Sequence, residues 1–391
     1  MPRLVFSRRR ISGLSLIEIM VGIVLGMLTV IVIMRLFAGT EASKRATTGG
    51  DDAQINGTIA LYNLERDIRS SGYGFSSYNL LGCTLTYTTG TDSTSVTLAM
   101  APVVVNPATS LVPAGDASTD TLIVFSTNSN GSSEGDALIA ASTGSGSGGT
   151  YQVTTPSSFS KGDYVVGQLS TRPATCALAL DQVTKVPSSG STLTSAIGFS
   201  SFPTGSTLFD LGSAPTVHAY AVRNGNLTVC DYRAYNCGNT GYTSTLNPNV
   251  WVPIASNIVS LRAEYGRDTS TPTMTGVLAT YDQTTPGSAS DTSGLPVYCT
   301  WARVVGFRLA VVARGEQYDK TMPTSTSNAP TWAGSTVVST APTNPTQVPI
   351  VVTGNTNWQY YRYKTLQTVV PTRDMIWSGS QATYQGGSGG C

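Results

Sequence analysis

At 391 residues the chain is long enough for one large or two ordinary domains, and a hydrophobic content of 40% supplies a packed core, which excludes a disordered protein. Its 23 basic and 22 acidic residues leave a net charge of +1, so binding to nucleic acid or an anionic surface through bulk charge is excluded. Charged residues make up only 12% while Ser, Thr and Gly crowd the sequence, the composition of a secreted β-rich protein with many turns.

In chain order, Arg3, Arg8, Arg9 and Arg10 precede Ser12-Gly13, and Leu14 to Met34 is then apolar apart from Ser15, Glu18 and Thr29. At about 1.5 Å per residue such a helix crosses the ~30 Å hydrocarbon core, and the arginines hold its start in the cytoplasm. The predicted transmembrane segment is about residues 14–37, with the remainder facing outward. A secretory signal peptide would place a small-residue cleavage site after the apolar run, whereas here Arg35-Leu36-Phe37 follows. A carboxylate at Glu18 would cost about 2.5 kcal/mol or more if left unpaired in lipid, so it calls for a partner. Gly22 and Gly26 form a GxxxG pair, which either permits close helix approach or is merely tolerated.

No proline stands between Pro2 and Pro102, and the helix is expected to continue to about Ser70. Ile55, Ile59 and Tyr62, with Leu61, Leu64 and Ile68, have the spacing of one buried face. Gly49-Gly50 reads as a soft point, Arg66, Asp67 and Arg69 as solvent-facing, and Gly72-Tyr73-Gly74 as the stop. The predicted class is α+β: a long N-terminal helix over residues 14–73, its first half spanning a membrane, followed by a large antiparallel β-rich head.

Beyond the helix, strands are predicted at Ser95–Met100, Thr121–Ser126, Asp163–Leu169, Val217–Val222, Leu227–Tyr232, Val304–Ala313 and Tyr360–Val370. Asn224-Gly225 supplies the positive φ angles of a tight hairpin turn. Thr143–Thr150 reads as a flexible loop or linker. A soft boundary near Ser213 divides the head into lobes 74–213 and 214–391, the second with a flexible C-terminal tail; a single extended sheet fits the same pattern. Six cysteines without a CxxC pair read as disulfides made in an oxidising compartment. Cys230 with Cys237 is the first choice, Cys83 with Cys176 the second, and Cys299 with Cys391 follows by elimination, Cys391 being equally able to bond another protein.

Catalytic chemistry finds little footing. The one histidine, His218, sits inside a predicted strand as a structural residue, Asp51-Asp52 reads as a solvated pair, and the Gly-rich stretches lack a phosphate-loop ending. The tyrosines Tyr232, Tyr235, Tyr360, Tyr361 and Tyr363 either pack a sheet or stack on a partner. The expectation is a protein that is no enzyme and uses no cofactor, metal or nucleic acid.

Gly13-Leu14-Ser15-Leu16-Ile17-Glu18 behind the basic leader resembles the processing motif of type IV prepilins and the related pseudopilins. Leu64-Glu65-Arg66-Asp67-Ile68-Arg69-Ser70-Ser71-Gly72-Tyr73, then Ile258 to Asp268, Trp301 to Leu309 and Val370 to Trp377, resemble in order the PilW-type minor pilins. The resemblance implies a leader of residues 1–13, cleavage between Gly13 and Leu14 by a prepilin peptidase, and N-methylation of Leu14, a position where many pilins have Phe. It implies that Glu18 pairs with the N-terminal amine of a neighbouring subunit and sets register. The implied partners are other minor pilins, the major pilin and a tip adhesin. The implied place is the inner membrane, with a periplasmic head, before assembly and the extracellular pilus after it, in pilus initiation or a tip complex serving adhesion or twitching. In many relatives the loop after Tyr265-Gly266 carries several acidic residues suited to an ion, but here Arg267-Asp268-Thr269-Ser270-Thr271-Pro272 offers one carboxylate, too few for calcium. Two other readings stay open: a J-type pseudopilin of type II secretion, and an unprocessed membrane-anchored periplasmic binding protein.

Overall fold

The computed structural model describes residues 13, 15–129, 131–132, 134–144, 146–199, 202–244, 247–334, 348–372, 375–376 and 391. One helix, Leu16–Arg69, runs for 54 residues and passes through Gly49-Gly50 without a break. Every described residue from Leu16 to Phe37 is exposed, and this stretch is long and apolar enough to cross a membrane. No described residue covers it, which in water alone would expose a continuous apolar surface.

The second half of the helix lies on the head, where Leu64 and Ile68 are buried and Leu61 is half-buried as their spacing predicts, but the rest of the buried face differs from the one periodicity selects. Gly49, Ala53, Gly57, Ala60, Leu64 and Ile68 point inward, whereas Ile55, Ile59 and Tyr62 stay 57%, 45% and 62% exposed. Both stripes have helical spacing, so the pattern alone favours the bulkier one. The head requires the smaller. A Cβ on Gly315 would stand 2.5 Å from the carbonyl oxygen of Gly49, and one on Gly57 would collide with Leu366 and crowd Ala313 at 3.2 Å. Helix and sheet meet nearly backbone to backbone, and bulky residues on that face would hold them apart. Leu64 and Ile68 enter where the gap widens, each contributing about 1.5–3 kcal/mol by burial. After Arg69 the chain turns at Gly72, whose φ of +83° suits glycine, and its N–H bonds the carbonyl of Phe125.

Among the described residues the head holds three large sheets. The helix rests on a four-stranded antiparallel sheet, ordered Thr280–Asp282, Ile258–Arg267, Val304–Arg314, Tyr363–Pro371. A central five-stranded sheet follows, ordered Val252–Ser256, Asn226–Asp231, Thr216–Arg223, Leu122–Ser126, Val103–Val105. Its hairpin turns at Asn224-Gly225, both with positive φ. The outer sheet has nine strands, with Tyr164–Gln168 between Thr207–Gly212 and Ala177–Lys185. Here one pairing is parallel: Thr84–Thr88 runs beside Ala177–Lys185 with Thr84 opposite Ala177.

Two local readings need correction. Thr143–Thr150 is no linker, for Thr143–Gly144 pairs with Gly149–Gln152, placing Thr143 opposite Thr150, and Thr192–Ser195 borders the hairpin on its other side. A neighbouring strand offered by distant sequence converts a Gly-Ser run into a sheet edge. The last strand begins at Tyr363, because Trp358–Tyr360 forms a 3-10 turn. Two short helices, Thr240–Ser244 and Val297–Ala302, also interrupt the β-rich head.

The close seat predicts that Gly315→Val, which drives a side chain against the Gly49 backbone, destabilises the head by about 1–3 kcal/mol. Thermal unfolding of the full chain in detergent should show a midpoint several degrees lower, while Gly50→Ala, inside the helix and facing open space, should hold or raise it through the better helix propensity of alanine.

The exposed helix and its anchorage to the head

Glu18 lies in the first turn of the helix, exposed, with its N–H donated to the carbonyl of Ser15 at 3.0 Å. A negative side chain at a helix N-terminus is favoured by the helix dipole. It is also the one charged residue between Ser15 and Met34. Thr29, a polar group within the same apolar stretch, satisfies itself by donating to the carbonyls of Gly26 at 2.8 Å and Leu25 at 3.1 Å. Glu18 has no such internal solution, since a carboxylate can only accept. Gly13 is exposed, Gly22 and Gly26 face open space, and Leu14 and leader residues 1–12 lie outside the described residues.

At the other end of the helix a polar lock ties it to the central sheet. Asp67 was expected to face solvent; instead its carboxylate accepts from His218 Nδ1 at 2.8 Å and from the Tyr220 hydroxyl, with Arg66 at 3.2 Å on its other oxygen. His218 and Tyr220 are two apart on one strand, hence on one face, with rings edge to face at 6.1 Å. Burial pushes the Asp67 carboxyl up, but the hydrogen bonds from His218 and Tyr220 outweigh it and hold the group below its ordinary value. Burial, with Asp67 alongside, raises the Tyr220 hydroxyl. The lone histidine is thus a tether across 151 residues of sequence. Two polar side chains at i and i+2 in a strand were the available signal; their partner was not.

Three disulfides staple the head. Cys83–Cys176 sits one residue before the parallel pair Thr84 and Ala177, so it clamps that register. Cys230–Cys237 closes the loop after the central hairpin. Cys299, on the short helix Val297–Ala302, bonds Cys391, which is buried rather than loose. Arg303 completes that junction: its guanidinium is buried and donates to the carbonyls of Cys391, Ser270 at 2.6 Å and Asp268 at 3.3 Å. The loop it holds is organised by Asp268, whose carboxylate accepts from the N–H groups of Ser270, Thr275 and Gly276 at 2.6–2.7 Å. Burial raises the Asp268 carboxyl, yet these bonds bring it below the ordinary value. Backbone donors occupy this carboxylate.

Among the described residues no cluster of three or more His, Cys, Asp or Glu is placed to hold a metal. Tyr232 is buried and donates to the carbonyl of Leu111, and Tyr318 stacks on Tyr360 at 4.7 Å and meets Tyr361 edge to face at 5.8 Å. The arrangement offers an exposed apolar helix with one acidic group, rigidly joined to a covalently stapled head. A family described as type IV pilus-assembly protein W matches residues 220–374, the span that holds the central hairpin, the helix seat and the Arg303 junction. No curated protein matches the chain, and no solved structure does. The match agrees with the resemblance read from the sequence: the chain is similar to the PilW type and related to type IV pilus assembly.

The lock predicts that Asp67→Asn costs about 1–3 kcal/mol at neutral pH, the value of hydrogen bonds to a charged group. Since the folded-state carboxyl titrates below the unfolded one, its stabilisation is full above about pH 4 and fades as pH falls through the folded value. The gap in urea midpoint between parent and variant should therefore be wide at pH 7 and close in strong acid.

Proposed function

We propose that the chain is a minor pilin, made as a prepilin, cut between Gly13 and Leu14 and methylated at Leu14. In this reading it helps initiate a type IV pilus or forms part of its tip complex. The observation that carries the reading is the exposed apolar half-helix with a single carboxylate, Glu18, in its first turn. Removing the leader creates a positive amine within one turn of that carboxylate. In a helical bundle the Glu18 of one subunit and the amine of the next leave water together as a pair, which offsets much of the cost of burying either. A one-turn slip would separate them, so the pair selects a register.

Head size supports a place at the tip. Three stapled sheets on one helix are bulky for a tightly repeated shaft, and few copies beside other minor pilins, the major pilin and an adhesin fit better. Adhesion or twitching motility would then be served indirectly. Before assembly the helix would hold the chain in the inner membrane with the head in the periplasm, where disulfides form. A J-type pseudopilin would share the helix and the Glu18 pairing but belong to a secretion machine.

Mass spectrometry of the N-terminal peptide, with and without a prepilin peptidase, tests the processing step. A peptide beginning at methylated Leu14 only with the peptidase is expected, and an intact Met1 leader under both conditions would overturn the proposal. Glu18→Gln should leave cleavage unchanged and reduce copies in sheared pili about tenfold or more. Unchanged incorporation would remove the pairing role.

A further inference from the structure

Between the central and outer sheets the side chains leave a cavity of about 140 Å³. Its walls are Leu85, Phe125, Leu180, Leu211 and Val217, drawn from both sheets. On one side Phe75 stacks on the wall residue Phe125 at 4.8 Å. An apolar hole of about 150 Å³ in a protein core stays dry and accepts a benzene ring, so the volume suits one ring or a short alkyl chain. A single charged side chain among the described residues lines it: Arg233, half-buried, its guanidinium carbon 5.4 Å from the centre of the Tyr164 ring.

That guanidinium makes no ion pair among the described residues. The nearest acid in sequence, Asp231, spends its Oδ1 on the backbone N–H of Arg233 instead, at 2.8 Å. Four other arginines of the head are committed to oxygen acceptors, Arg262 to Asp120, Arg267 to Asp282, Arg308 to Glu264 and Arg303 to carbonyls, whereas the Arg314 guanidinium lies over the Tyr361 ring and lines no part of this cavity. A planar donor left open at a partly open, mainly apolar pocket is complementary to a ligand with an apolar body and one carboxylate, which a guanidinium binds through two parallel hydrogen bonds.

We propose that this cavity binds a small apolar carboxylate, a single ring or a chain of about six carbons, with Arg233 holding the acid group. The same chemistry is offered by a free organic acid and by the C-terminal residue of an apolar peptide end. The inference is independent of the pilin reading, since it rests on the head alone.

Fluorine NMR of para-fluorophenylacetate with the full chain in lipid nanodiscs, against empty nanodiscs, tests it. Saturable line broadening is expected, about tenfold weaker for the neutral amide of the same probe and for Arg233→Met. The variant keeps the apolar stem of the side chain, and an unchanged thermal midpoint establishes that it folds. A tripeptide ending in phenylalanine, used as competitor, assigns the source: tighter binding than the free acid marks a peptide end, weaker binding a free acid. Absence of saturable binding, or equal binding by acid, amide and variant, would overturn the proposal.

Discussion

The approach of the Gly49 backbone to Gly315 is the constraint on which the architecture turns. A helix that lies against a sheet without intervening side chains has contacts over its whole width, and dispersion forces fall off steeply with any added gap. Gly57 over Leu366 and Ala313 continues that contact for two more turns, and Leu64 and Ile68 then fill the wider end between the helix-facing and central sheets. The inward face is therefore graded, small residues first and large ones last. The direction in which the helix leaves the head is set by this gradient.

Because the helix is fixed so closely, its outer stripe is left free. Ile55, Ile59 and Tyr62 extend the exposed apolar surface of the first half toward the head. An exposed apolar stripe on a helix whose other face is committed is available as a contact surface. The division of labour is plain in the energetics: the inward face holds the molecule together, while the outward face and Glu18 have no use inside one chain.

Charge is scarce in this protein, and where it is buried it organises backbone. Asp268 gathers three N–H groups of its loop, Asp116 takes those of Asn224 and Gly225 at the hairpin turn, and Asp181 takes those of Ile197 and Gly198 together with the Tyr151 hydroxyl. Burial raises the Asp181 carboxyl, but these donors more than reverse it. Arg303 is the counterpart of opposite sign, a cation satisfied by carbonyl oxygens. Carboxylates spent this way fix the loops whose N–H groups they gather.

How much was legible follows from the range of each interaction. The long apolar helix, its stop at Gly72, the Asn224-Gly225 hairpin and the strands around Leu122, Val217 and Val304 depend on neighbouring residues, and local sequence determined them. The match over residues 220–374 takes in the short motifs Ile258 to Asp268 and Trp301 to Leu309 and most of Val370 to Trp377, but not Leu64 to Tyr73. What the sequence left undetermined was set by meetings between distant segments. Which stripe of the helix turns inward depends on the small residues waiting at Ala313 and Gly315; whether Asp67 faces water depends on a histidine 151 positions away. Whether a Gly-Ser run is a linker or a sheet edge depends on a strand some forty residues on, and the burial of Cys391 depends on Arg303. Periodicity records that a residue can be buried, whereas only the folded neighbour, by its size and its hydrogen-bonding groups, decides which residue is.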